Sequence, residues 1–132
     1  MQSFKLVFFC PVASTQAVLR HLFEQFPRTV GRIGAYGGCA FVSRGTGQFV
    51  PLDGARPAVG AVGRPEFVEE DRVEVLVRVS AEDSAEGGER VGMRRVLDEL
   101  RRVHPYEEVA FDVYRLEDFL CRSWTRRWIR AC

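Results

Sequence analysis

The chain has 132 residues, 46% of them hydrophobic, which suffices for one domain with a real core. Nineteen Lys and Arg against 18 Asp and Glu leave a net charge of +1, so global charge makes no case for nucleic acid or an acidic partner. No apolar run reaches the ~18 to 20 residues that a membrane-crossing helix requires, so no transmembrane segment is expected.

The four cysteines, Cys10, Cys39, Cys121 and Cys132, form no CxxC pair, and no secretory apolar stretch opens the chain. Free thiols in a reducing, cytoplasmic setting are the simplest expectation. The run Phe-Lys-Leu-Val-Phe-Phe-Cys at 4–10 reads as a buried strand, ended by Pro11. Ser14 or Thr15 can cap the helix that follows. In it Val18, Leu19, Leu22, Phe23 and Phe26 recur at helical spacing, with His21 on the polar flank and Pro27 as the stop.

Between positions 31 and 63 the composition turns Gly-rich, with short apolar pieces at 39–42 and 48–50. This pattern predicts a strand, a bend or bulge at Gly45-Thr46-Gly47, a strand continuation and a long ordered loop. Residues 67–79 alternate clearly: Val73, Val75, Val77 and Val79 on one face, Arg72, Glu74, Leu76 and Arg78 on the other. The acidic, Gly-rich piece 80–89 is predicted as a surface loop. Positions 90–103 form a second amphipathic helix with the stripe Met93, Val96, Leu97, Leu100 and Val103.

Pro105 disfavours helix at His104 and should end it there. His104 then sits at a helix C-terminus, where the dipole favours its cation. Val109, Phe111 and Val113 alternate with polar neighbours as the last strand. On that strand the adjacent Glu107 and Glu108 point to opposite faces and cannot flank one bond. The order is β-α-β-β-α-β, an α+β, ferredoxin-like sandwich. Two helices cover one face of a four-stranded sheet, yet apolar residues (Val7, Phe9, Leu76, Ala110 and Tyr114) fall on the other. Copies of the chain covering that face resolve the mismatch, so a homo-oligomer is expected.

Gly-Arg-Ile-Gly-Ala-Tyr at 31–36, Gly-Thr-Gly-Gln-Phe at 45–49, Pro-Leu-Asp-Gly-Ala-Arg-Pro at 51–57, Gly-Ala-Val-Gly at 60–63 and His-Pro-Tyr-Glu-Glu-Val-Ala-Phe-Asp-Val-Tyr at 104–114 occur in that order. Together they resemble the PII-like or CutA-like insert domain of the Nif-three-like dinuclear-metal family, whose bacterial members are labelled GTP cyclohydrolase type-two-like. The chain looks like a free-standing version. The resemblance implies a PII/CutA-like domain over 1–116 that assembles as a trimer. It also implies effector clefts between subunits, near the connection at roughly 43–66. It does not carry over the metal chemistry, whose ligands lie in a flanking domain. The tail 117–132 has no counterpart; its Leu120, Trp124 and Trp128 among arginines suit a basic amphipathic helix or a terminal helix packed on its own domain.

Candidate ligand-binding residues are Tyr36, Thr46, Gln48, His104, Tyr106 and Glu107. Each has a plainer reading: His104 as helix terminator, the two tyrosines as packing, the glycines as bends. No paired zinc ligands, GxSxG elbow or P-loop is present, so no catalytic residue is assigned. A divalent metal ion held between subunits through His104, Glu107 or Cys39 stays open, because CutA relatives share a His-Pro-Tyr-Glu ending and are linked to divalent metals. The expected function is a non-enzymatic trimeric module binding a small molecule, a metal ion or a partner protein at intersubunit clefts. The alternatives are a metal-dependent, GTP-cyclohydrolase-like hydrolase and a purely structural oligomerisation domain. No nucleic-acid partner is expected.

Overall fold

The computed structural model describes residues 2–79, 92–117 and 119. Strand β1 (Gln2–Pro11) leads through a 3-10 turn, Val12–Ser14, into helix α1 (Thr15–Gln25). Strands β2 (Phe41–Phe49) and β3 (Glu66–Val79), helix α2 (Met93–Val103) and strand β4 (Phe111–Leu116) follow. The sheet runs β2-β3-β1-β4, every neighbouring pair antiparallel. This is the ferredoxin-like arrangement expected from the order of apolar periods. Among the described residues no helix is long and apolar enough to cross a membrane.

Strand pairing sorts the side chains into two faces. Leu6 stands beside Val75 and Phe8 beside Val73, and with Cys10 and Val77 they meet Val18, Leu19, Leu22 and Phe26 of the first helical segment and Val96 and Leu100 of α2. All are buried. Burying a Val, Leu or Phe side chain contributes about 1.5–3 kcal/mol each, which makes this face the source of stability. The helices are also joined at their rim, where His21 Nε2 lies 2.6 Å from Glu99 Oε2 and Arg102 donates to the same oxygen at 2.8 Å. Arg102 first, and His21 second, hold the Glu99 carboxyl below its ordinary range.

The opposite face carries Lys5, Val7, Phe9, Glu74, Leu76, Phe41 and Tyr114, by the same register. Val7 is fully buried among its neighbours, while Phe41 is 66% and Tyr114 52% exposed. Neither helix contributes to this side; both pack into the core on the other.

Several expectations are corrected. Ser14 stands at the N-cap of α1 without a side-chain cap bond; the hydroxyl of Thr15 donates instead to Asp71 Oδ2 at 2.7 Å. No bulge interrupts β2, which pairs residue by residue from Phe41↔Glu74 to Phe49↔Glu66, so the connection to β3 starts only at Val50. Strand β4 begins at Phe111, two residues later than the alternation suggested, and leaves Glu107, Glu108 and Ala110 outside it. The reason lies in β1: the Phe9 carbonyl is taken by the His104 ring, so the β1–β4 pairing stops at Phe8↔Phe111. The 80–89 loop, positions 90 and 91 and the amphipathic reading of the tail lie outside the described residues.

After α1 the chain returns to the sheet edge that β2 leaves open. Gly31 N–H donates to Leu76 O at 2.8 Å, and Arg78 N–H to Thr29 O at 2.9 Å. Gly31 adopts φ 71°, and a Cβ there would meet the Phe23 ring and the Cys39 carbonyl oxygen. Gly31→Ala is expected to cost more than about 1 kcal/mol, from the left-handed backbone and the displaced ring together. Urea denaturation followed by circular dichroism measures it.

Candidate functional site

The site is built where α2 hands over to β4. Pro105 stops α2, and the His104 N–H closes it on Leu100 O at 2.9 Å. The His104 ring turns inward: Nδ1 accepts the Tyr106 backbone N–H at 3.1 Å and Nε2 lies 2.7 Å from Phe9 O. An acceptor at Nδ1 and a carbonyl at Nε2 require the neutral tautomer protonated on Nε2. Burial pushes the imidazole pKa below its ordinary value, with the Phe9 bond opposing. The cation expected from the helix dipole is therefore corrected to a neutral ring, since desolvation outweighs the dipole here. Both ring nitrogens are committed inside the fold, so His104 holds the turn in place.

What the turn presents is Tyr106 and Glu107. The Tyr106 ring lies 5.1 Å from the His104 ring and 6.3 Å from Phe49, tilted against both. Glu107 Oε1 accepts the Arg56 backbone N–H at 2.8 Å, across 51 positions of sequence. That bond draws the β2–β3 connection against the turn. Between them lies a cleft of about 350 Å³. Phe49 and Tyr106 line it with Val50, Pro51, Leu52, Pro57 and Val59, and Glu107 and Glu108 complete the lining.

A second, smaller furrow of about 270 Å³ lies around Gly45, Thr46 and Gly47, bounded by Phe9, Glu70 and Arg72. Glu70 is 9% exposed and its carboxyl pKa is raised by burial. Its side chain lies where a Cβ on Gly47 would be. Arg72 stacks over Phe9 at 5.9 Å and reaches Glu74, and Arg44 reaches Asp71, so both arginines are engaged elsewhere. Tyr106 lines the cleft, and its buried Oη finds no hydrogen-bond partner among the described residues. Burial first, then the charges of Glu70 and Cys10, raise its pKa. Burial also pushes the Cys10 thiol up to about 11, against a Thr15 hydrogen bond, so it stays protonated and is no nucleophile at neutral pH.

Of the residues singled out from sequence, Tyr106 and Glu107 share the cleft and Thr46 belongs to the furrow. Gln48 is exposed on β2, paired with Phe67, and Tyr36 is 75% exposed in a tight turn with Ile33; neither lines either hollow. Sequence reasoning missed Glu70 and the aliphatic wall from Val50 to Val59. A glutamate set in a long alternating strand opposite two glycines was the available sign of the first. Among the described residues no three His, Cys, Asp or Glu side chains converge as metal ligands.

No family model matches the chain. The GTP cyclohydrolase 1 type 2 homolog of Mycobacterium tuberculosis is 41% identical over 112 residues, 85% of this chain and 26% of that protein. The Bacillus subtilis homolog is 44% identical over 87 residues, 66% of this chain and 20% of its own length. The chain thus spans about a quarter of the length of the curated relatives it matches. A Bacillus cereus protein related to NIF3 superposes with a TM-score of 0.64 at 36% identity, covering 89% of this chain and 26% of that one. The periplasmic divalent cation tolerance protein CutA of Archaeoglobus fulgidus matches at 0.53 and 17% identity over 98% of this chain and 95% of its own, a likeness of fold alone. The resemblance read from the glycine and His-Pro-Tyr-Glu motifs, and the CutA-like fold with it, are both borne out.

Two outcomes follow from the geometry. His104 is expected to titrate below 6.5 by NMR. Between its depressed folded value and 6.5 the unfolded chain binds the extra proton, so its contribution to stability falls as pH drops through that window. His104→Gln should remove that slope. Gly47→Ala, by contrast, displaces only the mobile end of Glu70 into water. It should change stability by less than about 1 kcal/mol and return the Glu70 carboxyl towards its ordinary pKa in a carbon-detected titration.

Proposed function

We propose that this homologue of one segment of the GTP cyclohydrolase 1 type 2 homologs is a non-enzymatic, self-associating binding module. Copies cover one another through the sheet face that the two helices leave bare. A small molecule, a metal ion shared between copies or a partner protein is then taken at the clefts near the β2–β3 connection. One observation carries this reading: Phe41 and Tyr114 stand exposed on a face whose centre, Val7, is fully buried, while both helices pack on the other side. Exposed aromatics beside a dry strand centre suit a protein interface better than a solvated surface. Three copies is the number that the likeness to PII and CutA proteins implies.

The name borne by these relatives supports a second reading, a hydrolase acting on GTP. This chain matches only about a quarter of those proteins, so that reading requires the matched segment itself to carry the activity.

Sedimentation at micromolar concentration is expected to give a particle three times the 15.0 kDa chain mass. Phe41→Glu and Tyr114→Glu together should yield the monomer with an unchanged circular dichroism spectrum. A wild-type protein that sediments as a single chain sinks the proposal. GTP turnover by the isolated chain with added divalent metal would replace it with the hydrolase. A cleft ligand at 100 times its dissociation constant should add about 2.7 kcal/mol of stability, readable as a raised melting temperature.

A further inference from the structure

We propose that the cleft between the 50–59 connection and the 104–108 turn binds an organic ammonium carrying an apolar body. This rests on the reading of that cleft as the ligand site of the module and names the class of ligand it takes. The volume, about 350 Å³, falls at the lower end of small-molecule sites. Its walls are aliphatic, and two aromatic rings, Phe49 and Tyr106, meet at 6.3 Å on one side. Among the described residues every charged side chain in the lining is acidic: Glu107 and Glu108 are there, and no Lys, Arg or His is.

The two carboxylates are not consumed by the fold. Glu107 accepts one backbone N–H through Oε1, which orients the group and leaves Oε2 free, and Arg56 supplies only that N–H. Neither Glu107 nor Glu108 forms an ion pair with a described residue. An anionic ligand, a phosphate ester for example, meets two like charges with nothing to offset them. A neutral apolar ligand fills the walls but shields the carboxylates from water without a donor in return. A cation satisfies both. Its ammonium sits against Glu107 and Glu108 and over the face of Tyr106 or Phe49, the arrangement by which aromatic rings recognise organic ammonium groups. Its body fills the space against Leu52, Pro57 and Val59. His104 is a positioning residue here, since it holds Tyr106 and touches no ligand.

The test is calorimetric titration of the full chain, at low salt, with phenethylamine, its neutral counterpart phenethyl alcohol and the anion phenylacetate. The amine is expected to bind at least ten-fold tighter than the alcohol, with phenylacetate weakest. In a Glu107→Gln, Glu108→Gln double variant, the amide oxygen introduced at position 107 still accepts the Arg56 N–H. There the amine should fall to the level of the alcohol, whose own affinity is unchanged. Val59→Trp, which fills the cleft, should abolish binding of both. Equal affinity for amine and alcohol in the wild type overturns the inference, as does an amine preference that survives either variant. Failure of all three probes to bind at millimolar concentration overturns it too. Sedimentation of the same samples separates the two ideas: a trimer indifferent to the probes removes only the ammonium, and a monomer that prefers the amine removes only the self-association.

Discussion

His104 closes α2 with its backbone and then commits both ring nitrogens to other segments, the Phe9 carbonyl of β1 and the Tyr106 N–H of the turn. The position of β4, the aim of Tyr106 and the shape of the cleft all follow from that pair of bonds. A buried imidazole with a donor and an acceptor to place is satisfied only by one tautomer in one orientation, which is why it specifies geometry better than an apolar residue of its size. Desolvation opposes the arrangement, and keeping the ring neutral limits that penalty.

From that anchor the functional end is assembled in layers. Tyr106 leans on Phe49 at the end of β2, and Glu107 reaches the Arg56 N–H in the connection that follows. A strand end, a loop and a turn, widely spaced in the chain, thus form one wall of apolar groups with carboxylates beside it. The buried polar groups nearby serve a different purpose. Asp71 is held by Thr15 and Arg44, joining β3 to the start of α1 and to β2. Glu70, two strand positions from Arg72 and over a glycine, is shielded without such company among the described residues.

The fold was legible because its elements obey simple periods. The valines at 73, 75 and 77 alternate and are buried, and Val18, Leu19 and Leu22 recur at helical spacing and are buried too. Local rules failed where a distant group decided the outcome. Gly45 and Gly47 look like a bend, but Gly47 lies in an unbroken ladder because a side chain from β3 fills the space above it. The period of two places a strand at Val109, yet an imidazole from the preceding helix end occupies the carbonyl that such a strand would need. At the site, Tyr106 and Glu107 could be named from the His-Pro-Tyr-Glu motif. Their partners could not, because the Glu107 bond to Arg56 spans 51 positions and leaves no local trace.

Strand β3 reaches further than its neighbours. With 14 residues it outruns β1, whose pairing ends at Pro11↔Glu70, so positions 66–69 pair only with 46–49 of β2. A two-stranded ribbon is marginal in water unless something braces it. The brace visible here is Phe49 against Tyr106, in the lining of the cleft. A ligand in that hollow would therefore stiffen an arm projecting beyond the sheet, so that occupancy inside one chain would be felt, as firmness, by a neighbour touching the arm.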